Sequence, residues 1–123
     1  MQNNIIVLAA TGSSLARVEK MNCTWSVTHS LEGVKINSLV RHSENNRLLF
    51  IGTQEDGVLF SEDAGLTWHK KGMAGIPVKS LAIDPNNSQV LYAGCKAVSL
   101  YQSTDGGDTW HELGAIRKTR RWW

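Results

Sequence analysis

Short apolar segments separated by polar turns follow one another along most of the chain. Val78–Ile83 leads into the cluster Asp84-Pro85-Asn86-Asn87, which is followed by the apolar run Val90–Ala93. We predict strands on both sides of this cluster, because Asp, Pro and Asn favour turns. The run Val90–Ala93 is continuous, which is typical of a strand buried on both faces. Two further strands are expected at Ser99–Gln102 and Thr109–Glu112.

The preceding part of the chain has the same order of segments. The predicted strands there are Val34–Val40, Leu48–Ile51, Val58–Phe60 and Thr67–Lys70. No segment keeps a helical period over about ten residues, so the pattern predicts an all-β protein.

An internal repeat underlies this order. The segment Ser61-Glu62-Asp63-Ala64-Gly65-Leu66-Thr67-Trp68 returns 42 positions later as Ser103-Thr104-Asp105-Gly106-Gly107-Asp108-Thr109-Trp110, with Ser, Asp, Gly, Thr and Trp in common. We call these two segments the repeated motif. Four short strands in a unit of this length are typical of a β-propeller blade.

A degenerate copy precedes the two clear ones. Trp25 lies 43 positions before Trp68, one residue off the period. The places of the Asp and the Gly that the two motif copies share are taken by Lys20 and Asn22. We therefore expect Trp25 to be the remaining residue of a motif that this copy has otherwise lost.

The repeat predicts a partial β-propeller of about three four-stranded antiparallel blades, the first without its innermost strand. In this alignment Val7 lies opposite Phe50, and nothing before Ile5 supplies that strand. We expect a degenerate partial blade at 1–30, blades with the motif at 31–72 and 73–114, and a basic tail at 115–123. Closed propellers have roughly four to eight blades, so we expect a fragment of a larger propeller or an association of copies.

The motif is expected to fix a hairpin. Its Asp accepts hydrogen bonds from backbone N–H groups two residues on, in an Asx-type turn, and its Gly allows positive φ. Its Thr bonds back across the turn, and its Trp fills the space between neighbouring sheets. The residues given these structural roles are Ser61, Asp63, Gly65, Thr67, Trp68, Ser103, Asp105, Gly107, Thr109 and Trp110.

The pattern Ser-x-Asp-x-Gly-x-Thr-Trp resembles the Asp-box, or bacterial neuraminidase repeat. That family includes sialidases, xyloglucan-degrading glycoside hydrolases, sortilin-type receptors and photosystem II assembly propellers. The stretch from Leu81 to Gly94 also resembles the inner half of blades in that group. The resemblance implies a propeller whose motifs lie on blade-edge hairpins away from any catalytic centre, and it leaves enzymes and non-enzymes both open.

Charge separates the body of the chain from its tail. The net charge is +2, but the tail Arg117-Lys118-Thr119-Arg120-Arg121 holds four of the 13 Lys and Arg. The rest of the chain has nine Lys and Arg and 11 Asp and Glu, so its net charge is −2. It is therefore not a basic surface of the kind that binds nucleic acid. Contact with nucleic acid or a membrane is expected only through the tail, where Trp122 and Trp123 are able to stack on a base.

Catalytic and metal-binding patterns are weak. Glu55 and Asp56, in the loop after Leu48–Ile51, are the best catalytic candidates, although paired acids in loops are mostly solvated surface. Cys23 and Cys95 have neither metal-ligand nor disulfide-framework spacing. We expect no metal and no cofactor.

The sequence therefore predicts a structural module, or one that binds a protein or glycan ligand, and that associates with itself or with the remaining blades of a larger propeller. The alternative is part of a sialidase-like or xyloglucanase-like glycoside hydrolase whose catalytic blades are absent here. No signal peptide or transmembrane segment is recognisable, so a cytoplasmic location is the default expectation.

Overall fold

The computed structural model describes residues 4–96 and 98–114, and within them it contains strands and no helix. The predicted all-β class is confirmed. The strands are β1 (Ile5–Ala10), β2 (Leu15–Met21), β3 (Thr24–Ser30), β4 (Ile36–Arg41), β5 (Leu49–Thr53), β6 (Val58–Ser61), β7 (His69–Lys70), β8 (Val78–Ile83), β9 (Leu91–Cys95), β10 (Ser99–Ser103) and β11 (His111–Glu112). A search of these residues for a helix long and apolar enough to cross a membrane finds none.

The strands form three antiparallel sheets in chain order. The first sheet has the order β1-β2-β3, the second β4-β5-β6-β7 and the third β8-β9-β10-β11. The first sheet has three strands, one fewer than the others, and in the described part of the chain β1 pairs only with β2. This is the blade without its innermost strand that the sequence predicts.

The second and third sheets are close structural copies. In each, the pairing of the two inner strands shifts register once, between Ile36 and Ser38 in β4 and between Val78 and Ser80 in β8. The two shifts lie 42 positions apart, so the repeat preserves a backbone irregularity as well as side chains. The shift bends each innermost strand where it packs on the preceding sheet.

Two hydrophobic clusters join the three sheets. One lies between the first and second sheets and is centred on Leu15, Ile51 and Leu59. The other lies between the second and third sheets and contains Phe50 and Leu91. Strand β5 is buried along its whole length because alternate side chains enter different clusters. The second sheet is therefore covered on both faces.

Each sheet thus has an upstream face, toward the preceding part of the chain, and a downstream face. Within the described residues, nothing covers the upstream face of the first sheet or the downstream face of the third. The strand registers place Ile5, Val7, Val18, Trp25 and Val27 on the first of these faces. They place Ser80, Ala82, Tyr92, Leu100 and Gln102 on the second.

Two details of the predicted pattern are wrong. Leu8, and not Val7, takes the place of Phe50, because Leu8 packs on the second sheet as Phe50 packs on the third. Strand β9 has one buried face only: Leu91 and Ala93 are buried, and Tyr92 between them is half-buried on the uncovered downstream face. The tail at 115–123 and its two Trp residues lie outside the described residues.

Candidate functional site

The first copy of the repeated motif closes the turn between β6 and β7. The buried hydroxyl of Ser61 donates to Asp63 Oδ1 at 2.8 Å and accepts from the backbone N–H of Gly65 at 2.9 Å. Asp63 also accepts from the backbone N–H of Thr67, at 2.9 Å, and from its hydroxyl. Gly65 has φ +91°, and a Cβ there would lie 3.0 Å from Leu8 of the first sheet. The turn therefore needs glycine both for its conformation and for its packing.

The second copy builds the same turn between β10 and β11. Ser103 bonds to Asp105 and Gly107 at 2.8 Å each, and Asp105 accepts from the N–H of Thr109 at 2.9 Å and from its hydroxyl. These contacts match those of the first copy atom for atom. In both turns the Asp accepts from the backbone N–H of the Thr four positions on, whereas the sequence predicts an acceptor for N–H groups two positions on.

Hydrogen bonding makes both Asp carboxyls unusually acidic. The Thr67 hydroxyl, its backbone N–H and the Ser61 hydroxyl hold the pKa of Asp63 far below its usual value. The Thr109 hydroxyl and backbone N–H, with Ser103, lower the pKa of Asp105 to about 2. Each carboxylate is an acceptor for its own turn, which leaves it poorly suited to donate a proton in catalysis.

The two motif Trp side chains pack against the sheet that precedes their own. Trp68 packs against the cluster between the first and second sheets. Trp110 packs against the next cluster and donates its indole N–H to the carbonyl oxygens of Lys71 and Gly107, at 3.0 Å each. Both side chains fill the space between sheets.

Trp25 differs from the other two. Strand β2 continues to Met21 and pairs it with Thr24, so a two-residue turn at Asn22 and Cys23 replaces the motif. Trp25 is then a ladder residue opposite Lys20, whose Nζ lies 5.3 Å from the ring centroid, and it is 52% exposed. It is not the motif Trp in its usual register. It does lie on the upstream face, as Trp68 and Trp110 do.

The catalytic candidates lie on the loop between β5 and β6. Asp56 is half-buried and its backbone N–H bonds to Thr53 Oγ1 at 2.8 Å, while Glu55 is exposed. Both line a small pocket of about 130 Å³ together with Lys35 and Gln54. The structure brings no further acid of the described residues to this pocket's lining. Nor does it group three or more His, Cys, Asp or Glu side chains in metal-binding positions anywhere in the described ranges.

A larger groove, of about 500 Å³, runs between the first and second sheets. Arg41 and Arg47 line it with Ile6, Leu8 and Leu49. The third arginine of the body, Arg17, is buried and bonds to the Ala64 carbonyl oxygen and to Glu19, at 2.9 Å each. Arg17 therefore joins the first sheet to the motif turn of the second sheet. It does not line the groove together with Arg41 and Arg47.

One exposed apolar surface of the described chain was not predicted from the sequence. Ile5, Val7, Trp25 and Val27 are between 46% and 54% exposed, and the registers place them on the upstream face of the first sheet. Strand β2 lies between the two pairs and contributes Val18 and Lys20 to the same face. The alternation of Trp25 and Val27 with the polar Ser26 and Thr28 was the available signal. Exposed apolar patches are common at protein interaction surfaces.

Comparisons with solved structures confirm the β-propeller class. The GH74 enzyme of Niastella koreensis is 25% identical, with a TM-score of 0.64 over 89% of this chain. The GH74 xyloglucanase of Xanthomonas campestris is 18% identical, with a TM-score of 0.61 over 88%. YCF48 bound to D1 peptide is 15% identical, with a TM-score of 0.69 over 95%.

The match covers only part of each of these proteins. This chain spans 20% of the Niastella enzyme, 21% of the Xanthomonas enzyme and 38% of YCF48. No protein-family model matches the sequence. The search of curated proteins finds no match either.

Proposed function

We propose that this chain is a structural and binding module, built from propeller blades with Asp-box turns, that docks onto a further β-sheet through the upstream face of its first sheet. One observation carries the proposal. The upstream faces of the second and third sheets are buried in clusters, whereas the same face of the first sheet exposes Ile5, Val7, Trp25 and Val27.

The energetics favour covering this face. Fully burying one Val or Ile side chain is worth about 1.5–3 kcal/mol, and several such side chains are adjacent here. Strand β1 adds a free edge, since β2 is its only partner in the described part of the chain. Such an edge offers unpaired backbone N–H and C=O groups to an incoming strand. The neighbour YCF48, bound to D1 peptide, supports the idea that propellers of this kind take protein partners.

The test is a charge placed at the centre of the face. Val27→Lys puts an ammonium group among the apolar side chains, and Leu66→Lys is the control, since Leu66 is 56% exposed on the first motif turn and away from this face. The wild type should either form particles heavier than 13.6 kDa in light scattering or bind the dye ANS. Val27→Lys should abolish whichever signal the wild type gives, and Leu66→Lys should keep it. An unchanged signal in Val27→Lys overturns the proposal.

A second candidate function is part of a glycoside hydrolase. The 25% identity with the Niastella GH74 enzyme favours it. Glycoside hydrolysis needs two carboxyl groups separated by roughly 5 Å or 6.5–9.5 Å across the sugar, and Glu55 and Asp56 are this chain's candidates. We expect no release of reducing ends from xyloglucan by this chain alone. Release that is lost in both Glu55→Gln and Asp56→Asn would favour the hydrolase instead.

A further inference from the structure

We propose that the β-sheet that docks on the upstream face of the first sheet belongs to a second copy of this chain, which binds with the downstream face of its third sheet. This inference rests on the proposed function and names the partner of the same surface. The two copies would associate head to tail.

The joints within the chain show which faces fit together. At both joints the downstream face of one sheet packs on the upstream face of the next: Leu15 against Ile51 at the first, and Phe50 against Leu91 at the second. Of the two uncovered faces, one is an upstream face and the other is a downstream face. A second copy therefore repeats a contact that the chain already makes twice.

The uncovered downstream face retains the pattern of the covered one. Tyr92 lies 42 positions after Phe50, and Leu100 lies 42 positions after Val58. In the second sheet Phe50 and Val58 are buried against the third sheet, whereas Tyr92 and Leu100 are half-buried. The Tyr92 hydroxyl accepts from Gln102 Nε2 at 3.2 Å, so its polar tip is already satisfied within the sheet. The ring is free to pack against a neighbour.

The upstream face offers the matching aromatic. Trp68 and Trp110 both pack toward the sheet before their own, and Trp25 points in the same direction from the first sheet. No sheet of the described chain covers it there, so the ring is 52% exposed, and the Lys20 ammonium group lies 5.3 Å from its centroid. The downstream face of the third sheet of another copy supplies apolar side chains for this ring, namely Ala82, Tyr92 and Leu100.

The number of sheets selects the size of the assembly. The described residues of each copy form three sheets, and closed propellers have roughly four to eight. Two copies make six sheets, whereas one copy falls below this range and three copies exceed it. Head-to-tail binding of two copies closes a ring with no uncovered face, as expected for a heterologous contact that closes.

A complementation experiment tests the direction of association. Val27→Lys blocks the upstream face, and Ala82→Asp blocks the downstream face, where Ala82 is exposed opposite Tyr92. Leu100→Lys is a second, independent block of the downstream face. Each variant alone should weaken association by about a hundredfold or more, because an unpaired charge would lie in an apolar joint. Circular dichroism and thermal melting establish that each variant is folded.

Mixing Val27→Lys with Ala82→Asp should restore a particle of twice 13.6 kDa. The mixed pair keeps one joint intact and brings opposite charges together at the other. Association that is sensitive to Val27→Lys but insensitive to both downstream variants would show that two first sheets pair with each other, which overturns this inference and leaves the proposed function standing. A monomeric wild type whose dye binding is lost in Val27→Lys would also overturn it, since the face then awaits a different protein.

Discussion

The indole N–H of Trp110 donates across the joint to the carbonyl oxygen of Lys71 at 3.0 Å, whereas the corresponding N–H of Trp68 is buried without a hydrogen-bond partner in the described chain. The two side chains fill equivalent spaces between sheets. They differ in polar satisfaction, because only Trp110 replaces the hydrogen bond that its N–H loses from water.

This difference predicts unequal effects of one substitution. Trp110→Phe removes a satisfied donor and leaves the Lys71 carbonyl oxygen without it, whereas Trp68→Phe removes a donor that was buried at a cost. We expect Trp110→Phe to lower the free energy of unfolding by about 1–2 kcal/mol more than Trp68→Phe. Urea unfolding followed by circular dichroism measures both. Equal losses would show that the Trp68 N–H has found a partner.

The motif turns predict a stabilising substitution. Ala64 has φ +61° where the second copy has Gly106 with φ +74°. A residue with a Cβ is strained in this region, so Ala64→Gly should raise the free energy of unfolding by about 0.5–1 kcal/mol. Gly106→Ala is the reciprocal variant and should destabilise the protein, because it adds strain and brings a Cβ within 3.1 Å of Gln89 Oε1. Thermal melting of the two variants should show shifts of opposite sign.

The sequence predicted the repeat, the strand order and the missing strand of the first sheet, because turn chemistry and the 42-residue period are local signals. It failed in the first sheet for a physical reason. A two-residue turn replaces the motif there, which changes the number of residues between strands and reverses which side of the strand each residue occupies. The repeat alignment therefore places Val7 opposite Phe50, and it does not predict the exposed face that Val7 and Val27 share.

The candidate site was harder to predict than the fold. Asp63 and Asp105 could be assigned to turns because their partners lie within four residues in the sequence. The groups that meet across sheets are distant in the sequence: Arg17 bonds to the Ala64 carbonyl oxygen 47 residues away. Pairs of this kind depend on how sheets stack, and no local pattern in one sequence specifies that stacking.

The two cysteines should react at very different rates. Cys23 is exposed in the turn between β2 and β3, whereas Cys95 is buried and its burial raises the pKa of its thiol to about 11. Near pH 8 the Cys95 thiol is then almost wholly protonated, and the thiolate is the reactive species. We expect one fast equivalent of DTNB reaction in the folded protein and a second only in denaturant. Cys23→Ser should leave only the slow equivalent. Two fast equivalents would contradict the burial of β9.

The motif carboxylates predict a loss of stability in acid. The folded pKa of Asp105 is about 2 and that of Asp63 is lower still, whereas an unfolded Asp has a pKa of about 3.9. Below about pH 4 the unfolded chain therefore takes up protons that the folded chain does not, so the stabilisation from both turns is full above that pH and falls as pH decreases toward 2.

The double variant Asp63→Asn, Asp105→Asn should be less stable at pH 7, because an amide accepts weaker hydrogen bonds than a carboxylate. Its unfolding free energy should also change less between pH 4 and pH 2. Urea unfolding at these three pH values measures both effects, and Asp84→Asn, in a turn outside the motif, is the control. An equal acid slope in the double variant and the wild type would show that these carboxylates do not govern acid stability.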